Sequence, residues 1–304
     1  MVPAHFESLS RVLAMQLDVF PEHRVYLERR FAGADSATLD FAEQISVMIE
    51  TICGPQLRTV CEDYRWLSHI VLEEELYFRR TDRYRLSSFD EAFQTVYSNR
   101  PYMTRYSNGL IASQLWWANH TEVMRYFRDV FIAGAPDRFS HLEVGPGHGM
   151  FLALAAAAPG CRSIEGWDIS DASLASTQDT LKKMDFDCSK VVLRNIDIRN
   201  SPPSAFDSIT FSEVLEHLED PLSALRSLYA LLKPGGRIFI NAPVNSPAPD
   251  HIYLYRTPEE VVDMVREAGF AIEDCFFAPC TGASLQRARR LKLTISAVAI
   301  ARHP

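Results

Sequence analysis

His141-Leu142-Glu143-Val144-Gly145-Pro146-Gly147-His148-Gly149, followed at once by Met150-Phe151-Leu152-Ala153-Leu154, decides how the rest of this chain reads. It has the form of a buried strand end, a glycine-rich turn and the start of a helix. Glycines at alternate positions let the backbone turn tightly and bring a ligand close to bare main chain. Glu143 adds a carboxylate at the strand end. Nucleotide-like ligands bind at such strand-turn-helix junctions in open α/β sheets. The dinucleotide fingerprint is G-x-G-x-x-G. Here the third glycine comes one residue early, and Met150 stands where that fingerprint has glycine. A tight turn can also use glycine for structural reasons alone, so other parts of the chain must support the assignment.

Size and composition narrow the class. The chain has 304 residues, enough for one large or two modest domains, with 47% hydrophobic and 23% charged residues as in a globular protein. The formal net charge is -8, which suits a nucleic-acid backbone poorly. The one basic run, Arg287-Ala288-Arg289-Arg290-Leu291-Lys292, reads as a solvated face before the last strand. No nucleic-acid partner is therefore expected. The six cysteines, Cys53, Cys61, Cys161, Cys188, Cys275 and Cys280, form no C-x-x-C pair and have no histidine at zinc-ligand spacing. They read as reduced thiols, and no metal is expected. No apolar run reaches the ~18 residues of a membrane span, and the start, MVPAHFESLSRVL, lacks the pattern of a signal peptide. The expectation is a cytoplasmic protein without a membrane partner.

Along the chain, the first third reads as helices. Leu39, Ala42, Ile45, Met48, Ile49 and Ile52 recur at helical spacing behind the candidate caps Ser36 and Thr38, and Gly54-Pro55 ends that helix. Leu57, Val60, Cys61, Tyr64, Leu67 and Val71 mark a second. Ser88-x-x-Glu91 is a capping box for a third. Leu76-Tyr77-Phe78 and Tyr84-Arg85-Leu86 flank a charged turn and are expected to pair as a short hairpin. Asn108-Gly109 punctuates the chain before another long helix. From residue 139, strands and helices alternate in the pattern of a parallel sheet. The expected strands end at Val144, then cover Ser163–Trp167, Val191–Leu193, Ser208–Phe211, Arg237–Ile240, Ala271–Phe277 and Leu293–Ala301. The last two are joined by a stretch that does not look helical, which suggests an antiparallel hairpin at the sheet's end.

Asp168 lies 19 residues past Gly149, at the end of the second expected strand. A carboxylate there can accept hydrogen bonds from both ribose hydroxyls of an adenosine ligand; it can also simply cap the helix starting near Ser170. Glu143-Val144-Gly145-Pro146-Gly147-His148-Gly149 resembles motif I of the class I S-adenosylmethionine-dependent methyltransferases, E/D-x-G-x-G-x-G. Phe206 to Pro221, with its core Ser212-Glu213-Val214-Leu215-Glu216-His217, is similar to the segment after strand four in the ubiquinone-biosynthesis branch of that group. Leu231-Leu232-Lys233-Pro234-Gly235-Gly236-Arg237 resembles the turn that precedes its strand five. The matches fall in order and cover residues 139 to about 301.

The resemblance implies a Rossmann-like, seven-stranded α/β methyltransferase sheet in residues 109–304, behind a mainly helical lid or dimerisation domain in residues 1–108. That helical part is loosely similar to the winged-helix-type N-terminal domains of small-molecule O-methyltransferases. The implied cofactor is S-adenosyl-L-methionine, with S-adenosyl-L-homocysteine as product. Gly145, Gly147 and Gly149 would line its methionine part, and Glu143 and Pro146 would also contact the cofactor. Asp168 and Ile169 would meet the ribose, and Asp197 and Ile198 the adenine. Ser212 and Glu213 would lie near the sulfonium. Tyr106, with Arg105, is a candidate for the donor's carboxylate. His217 and His251, with Glu216 beside them, are the candidate catalytic residues, because a hydroxyl or protonated amine must lose a proton.

The expected acceptor is a small molecule. Glu73-Glu74-Glu75 with Glu213 and Glu216 raise the option of a cationic amine or guanidine such as arginine. A homodimer through the helical domain is a further expectation. Two other readings are a non-catalytic S-adenosylmethionine-binding protein, opposed by the intact glycine turn and Asp168, and a nicotinamide oxidoreductase, opposed by Met150.

Overall fold

The computed structural model describes residues 2–187 and 190–304, so Cys188 lies outside the described residues. Seven strands form one sheet: β1 (Phe139–Val144), β2 (Cys161–Asp168), β3 (Val191–Asn195), β4 (Phe206–Ser212), β5 (Leu232–Val244), β6 (Ala271–Pro279) and β7 (Ile295–Arg302). Their order is β3-β2-β1-β4-β5-β7-β6, parallel except for β7, which runs antiparallel between β5 and β6. The order reverses between β1 and β4, and ligands of open α/β sheets bind at such a switch point. In register, Glu143 lies opposite Thr210 and Val144 opposite Phe211, so the two chain segments that follow leave the sheet side by side.

The alternation of strand side chains divides the core in two. Phe239, Val298 and Ile300 face a cluster shared with the N-terminal helices. Ile238, Ile240, Ala242, Ala297, Ala299 and Ala301 face the opposite cluster, with α10 (Pro221–Leu231) and α11 (Pro258–Glu267). Between strands on the first face lie α8 (Met150–Ala156) and α9 (Asp171–Lys183).

The N-terminal region consists of α1 (Glu7–Val19), α2 (Arg24–Phe31), α3 (Ser36–Cys53), α4 (Leu57–Thr81), α5 (Phe89–Ala92), α6 (Arg100–Trp116) and α7 (Ala118–Tyr126). The structure departs from expectation at four places, three of them in this region. Asp35, not Ser36 or Thr38, caps α3, accepting from the Thr38 amide at 2.8 Å. The expected hairpin is absent: Leu76-Tyr77-Phe78 are the last turns of the 25-residue α4, which Asp82 closes in the left-handed conformation at φ 54°. Arg85 folds back onto Glu74 of that helix at 2.9 Å. Asn108-Gly109 does not interrupt the chain but sits inside α6, and the boundary expected after residue 108 falls there too. A Cβ on Gly109 would lie 2.8 Å from Leu67 Cβ and 3.1 Å from the Asp63 carbonyl, so glycine is required where α6 crosses α4. Finally, the link between β6 and β7 contains a helix, α12 (Leu285–Leu291), capped by Ser284 at 3.2 Å. The basic run lies on it, with Arg289 paired to Glu259 and Lys292 to Asp82.

Among the described residues no helix is long and apolar enough to cross a membrane.

Candidate functional site

Gly145, Gly147 and Gly149 all adopt positive φ, at 74°, 53° and 77°. A side chain on any of them would be strained. A Cβ on Gly145 would also lie 2.6 Å from Val214 Cγ2, and one on Gly149 would lie 3.2 Å from Thr177. Val214 belongs to the loop after β4, so the bare turn is what lets the two loops meet. The Gly145 amide donates to the Trp167 carbonyl of β2 at 2.8 Å, and Thr177 and Thr180 of α9 donate to the Gly147 and His148 carbonyls. The turn is thereby fixed between two neighbouring elements.

A cleft of about 170 Å³ opens where β1 and β4 diverge. Its sheet side carries Glu143, Gly145, Pro146, Gly147, Ser212 and Glu213; its far wall carries Glu216, His217, Asp250 and His251; and Tyr106 reaches it from α6. These are ten of the fifteen residues expected at the site, plus Asp250. The remaining five do not line it. Gly149 sits at the start of α8. Asp168 accepts from the Ser170 amide at 2.8 Å and the Ser173 hydroxyl at 2.5 Å, beside Ile169, which is exposed. Asp197 accepts from the Arg199 amide and pairs with its guanidinium at 2.6 Å, while Ile198 is buried in the second core cluster. Asp168 ends β2 and Asp197 follows β3, so both lie on the same edge of the sheet as the cleft. Arg105 is turned away, paired with Asp63 at 3.0 Å and stacked over Trp66. The Glu73-Glu74-Glu75 run is also elsewhere: Glu74 pairs with Arg85, Glu75 with Arg79, and Glu73 is exposed.

The cleft is rich in buried acid. Glu143 is 3% exposed, its Oε2 has no partner, and burial pushes its carboxyl well above the usual range. Burial also pushes Glu213 up to about 7, against an opposing hydrogen bond from Asn241 Nδ2 at 2.7 Å. Glu213 has φ 54°, a conformation that costs a non-glycine residue about 1–3 kcal/mol and clusters at functional sites. Glu216 is fully buried and neither carboxylate oxygen has a partner. Its backbone carbonyl accepts from both Ile252 and Tyr253 at 2.9 Å, which ties the loop after β4 to the loop after β5.

Sequence reasoning passed over several cleft residues. Asp250 is 3% exposed and accepts from Tyr106 at 2.7 Å and Tyr97 at 3.2 Å, so both N-terminal tyrosines are anchored to the loop after β5. Gln114, His120 and Asn241 also line the cleft. Burial alone accounts for most of the lowering of His120 to about 3. No motif marks these positions. Asp250 adjoins His251 in sequence, and that was the one available signal. Among the nearby aromatics, Tyr106 lines the cleft and Tyr97 touches its wall at His217 and Asp250, whereas Trp116 is fully buried and donates to Gln16 at 3.0 Å.

Residues 142–238 match a family model described as a methyltransferase domain. Among curated proteins, the chain is 25% identical over 158 residues to a ubiquinone biosynthesis O-methyltransferase of Neisseria meningitidis, a match spanning 44% of this chain and 64% of that protein. It is 37% identical over 103 residues to the protein of the same name from Pseudomonas savastanoi, spanning 33% of this chain and 42% of the other. The chain thus spans less than two thirds of these relatives' length. Among solved structures, mitomycin 7-O-methyltransferase aligns at TM-score 0.55 and 16% identity, over 83% of this chain and 72% of that one. An O-methyltransferase family protein from Burkholderia thailandensis aligns at TM-score 0.55 and 17% identity, over 80% and 70%. At these identities the structural matches show a shared fold, and they extend beyond the sheet into the helical region.

Proposed function

We propose that this chain, which carries a class I S-adenosylmethionine-dependent methyltransferase domain, moves a methyl group from S-adenosyl-L-methionine to a hydroxyl or amine of a small molecule. The observation that carries the reading is the floor of the cleft: a glycine turn that no side chain could occupy without strain, beside a buried Glu143 with one unpartnered oxygen. Such a carboxylate is costly unless a cation meets it. The donor has two, its ammonium and its sulfonium, whereas a nicotinamide dinucleotide brings a pyrophosphate that Glu143 and Glu213 would repel.

The bound donor supplies a methyl carbon already activated by its sulfonium. The protein's task is therefore to hold the acceptor in line, and positioning of this kind lowers a barrier by about 7–11 kcal/mol. Glu143 and the turn hold the methionine part, and Asp168 is assigned to the ribose. Glu216, His217 and His251 face the acceptor, and Tyr97 and Tyr106 close the cleft from the N-terminal side. The four carboxylates in the cleft, Glu143, Glu213, Glu216 and Asp250, keep a cationic amine or guanidine as the second reading of the acceptor.

Isothermal calorimetry tests the donor half: S-adenosyl-L-homocysteine should bind and NAD should not. The reverse result would remove the reading. A screen of hydroxylated and amino compounds with labelled donor tests the acceptor half.

A further inference from the structure

We propose that Glu216, His217 and His251 form a binding site for a divalent transition-metal ion on the acceptor wall of the cleft. One ligand atom from each residue lies within 4.8 Å of the other two. Glu216 Oε1 is 3.6 Å from His217 Nε2 and 3.9 Å from His251 Nε2. Both separations are too long for a hydrogen bond, so neither imidazole satisfies the carboxylate. They are close to what an ion requires: metal–ligand bonds of about 2.1 Å in a tetrahedron put ligand atoms about 3.4 Å apart. The three ligand atoms lie within 4.8 Å of one another, so side-chain adjustments of up to about 1 Å complete the set.

The surroundings orient the donors. His251 Nδ1 faces the Ser246 carbonyl at 2.7 Å, and His217 Nδ1 faces the Asp250 carbonyl at 3.1 Å. A carbonyl only accepts, so in each ring the proton sits on Nδ1 and Nε2 keeps its lone pair. Tyr97 donates to Asp250 Oδ2 and leaves its oxygen to accept from His217 Nδ1 at 3.1 Å, which supports the same tautomer. Fixing the remote nitrogen to a carbonyl or carboxylate is how metal-binding histidines are held. Glu216 is the second, independent observation. It is fully buried with two unpartnered oxygens, an arrangement that costs several kcal/mol unless a cation or proton arrives.

Two imidazoles and one carboxylate favour zinc, manganese or iron over calcium and magnesium, which prefer all-oxygen sets. No metal-ligand spacing marks the set, because Glu216 and His217 are adjacent and His251 follows 34 residues later on another loop. Three protein ligands leave positions open to the cleft. The use of those positions rests on the methyltransferase reading and narrows the acceptor to oxygen. An acceptor hydroxyl held there is acidified by the ion and gives its proton to water. Its oxygen then bonds the methyl carbon as the carbon–sulfur bond breaks and the electron pair returns to sulfur.

The test is equilibrium dialysis of the metal-stripped full chain against Zn²⁺ and against Mn²⁺, with S-adenosyl-L-homocysteine binding measured in parallel. We expect one ion per chain, lost by at least about 100-fold in affinity in both Glu216→Gln and His251→Asn, each checked for a wild-type melting profile. Asp168→Ala should do the opposite, keeping the ion and weakening S-adenosyl-L-homocysteine. Absence of a stoichiometric ion in the wild type, or wild-type affinity in the two ligand variants, would overturn the site. Ion binding without S-adenosyl-L-homocysteine binding would leave the site standing and remove the methyltransferase reading instead.

Discussion

Glu143 carries two opposed demands in one side chain. Its carboxyl is buried, half unpartnered and pushed well above the usual range, so its ionised form destabilises the empty protein. A raised pKa in the folded state means that stability is present at low pH and lost as pH rises through the folded value. Glu143→Gln should therefore raise the melting temperature of the ligand-free protein at pH 8 and change it little at pH 4. The same substitution removes the charge that meets the donor, so S-adenosyl-L-homocysteine should bind about 1.5–3 kcal/mol more weakly, the usual worth of a hydrogen bond to a charged group. Calorimetry and melting curves on one variant check both signs. Asp168 differs, because its oxygens already serve Ser170 and Ser173. Asp168→Ala should weaken S-adenosyl-L-homocysteine by about 1–3 kcal/mol and also loosen the start of α9; unchanged affinity in calorimetry would assign it to capping alone. Glu143 and the glycines were legible in the sequence because the turn geometry dictates residue type. Asp250, Gln114 and His120 were not, because their place depends on which loops meet across the cleft, and no local spacing encodes that.

At the scale of elements, periodicity identified all seven strands, with ends displaced by a few residues. β5 begins at Leu232, because a register shift between Phe206 and Ser208 lets its partner pass the Pro234-Gly235-Gly236 kink. The helices were misread where one residue type has two uses. Asn108-Gly109 looks like a turn, but glycine also serves where two helix backbones touch. Gly109→Ala tests which use applies. In an isolated helix it would add about 1 kcal/mol of stability. Here the new methyl meets Leu67 Cβ at 2.8 Å and backbone oxygen at 3.1 Å, and overpacking of this kind costs about 1–3 kcal/mol. The expected outcome is a lower melting temperature, by a few degrees, with helix content unchanged by circular dichroism. A stabilised variant would mean that α4 and α6 part easily. The missed hairpin has a similar cause: aromatic pairs such as Tyr77-Phe78 suit strands, but a sustained helical period through Val60, Tyr64, Leu67 and Phe78 prevailed.

For the whole molecule, the first core cluster runs without a break from Leu9 and Ile45 of the N-terminal helices to Phe239 and Ile300 of the sheet. Phe127 bridges them, packing at 5.0 Å on Phe151 and 5.1 Å on Phe239. A core shared in this way should unfold in one calorimetric transition, and two separated peaks would show independent units. The pH dependence of that transition combines raised carboxyls with lowered histidines, which act in opposite directions. Glu143 makes the fold more stable as pH falls. His141 acts the other way: it is fully buried on β1 between Ser208 and Thr210, and burial lowers its pKa to about 3. For a histidine the unfolded chain takes the proton first, near the ordinary value of 6.5. The stability His141 permits is therefore complete above that value and lost progressively down to about 3. At pH 5 the loss amounts to roughly 2 kcal/mol, since each unit of pKa difference is worth about 1.4 kcal/mol. The net slope of the wild type mixes both signs, so the informative quantity is a difference. His141→Gln keeps a polar side chain between the same hydroxyls but cannot take the proton. Urea unfolding of both proteins at pH 7.5 and pH 5 should show the variant's stability falling by about 2 kcal/mol less than that of the wild type over that interval. Parallel losses in the two proteins would show that His141 takes no part in the acid sensitivity of the fold.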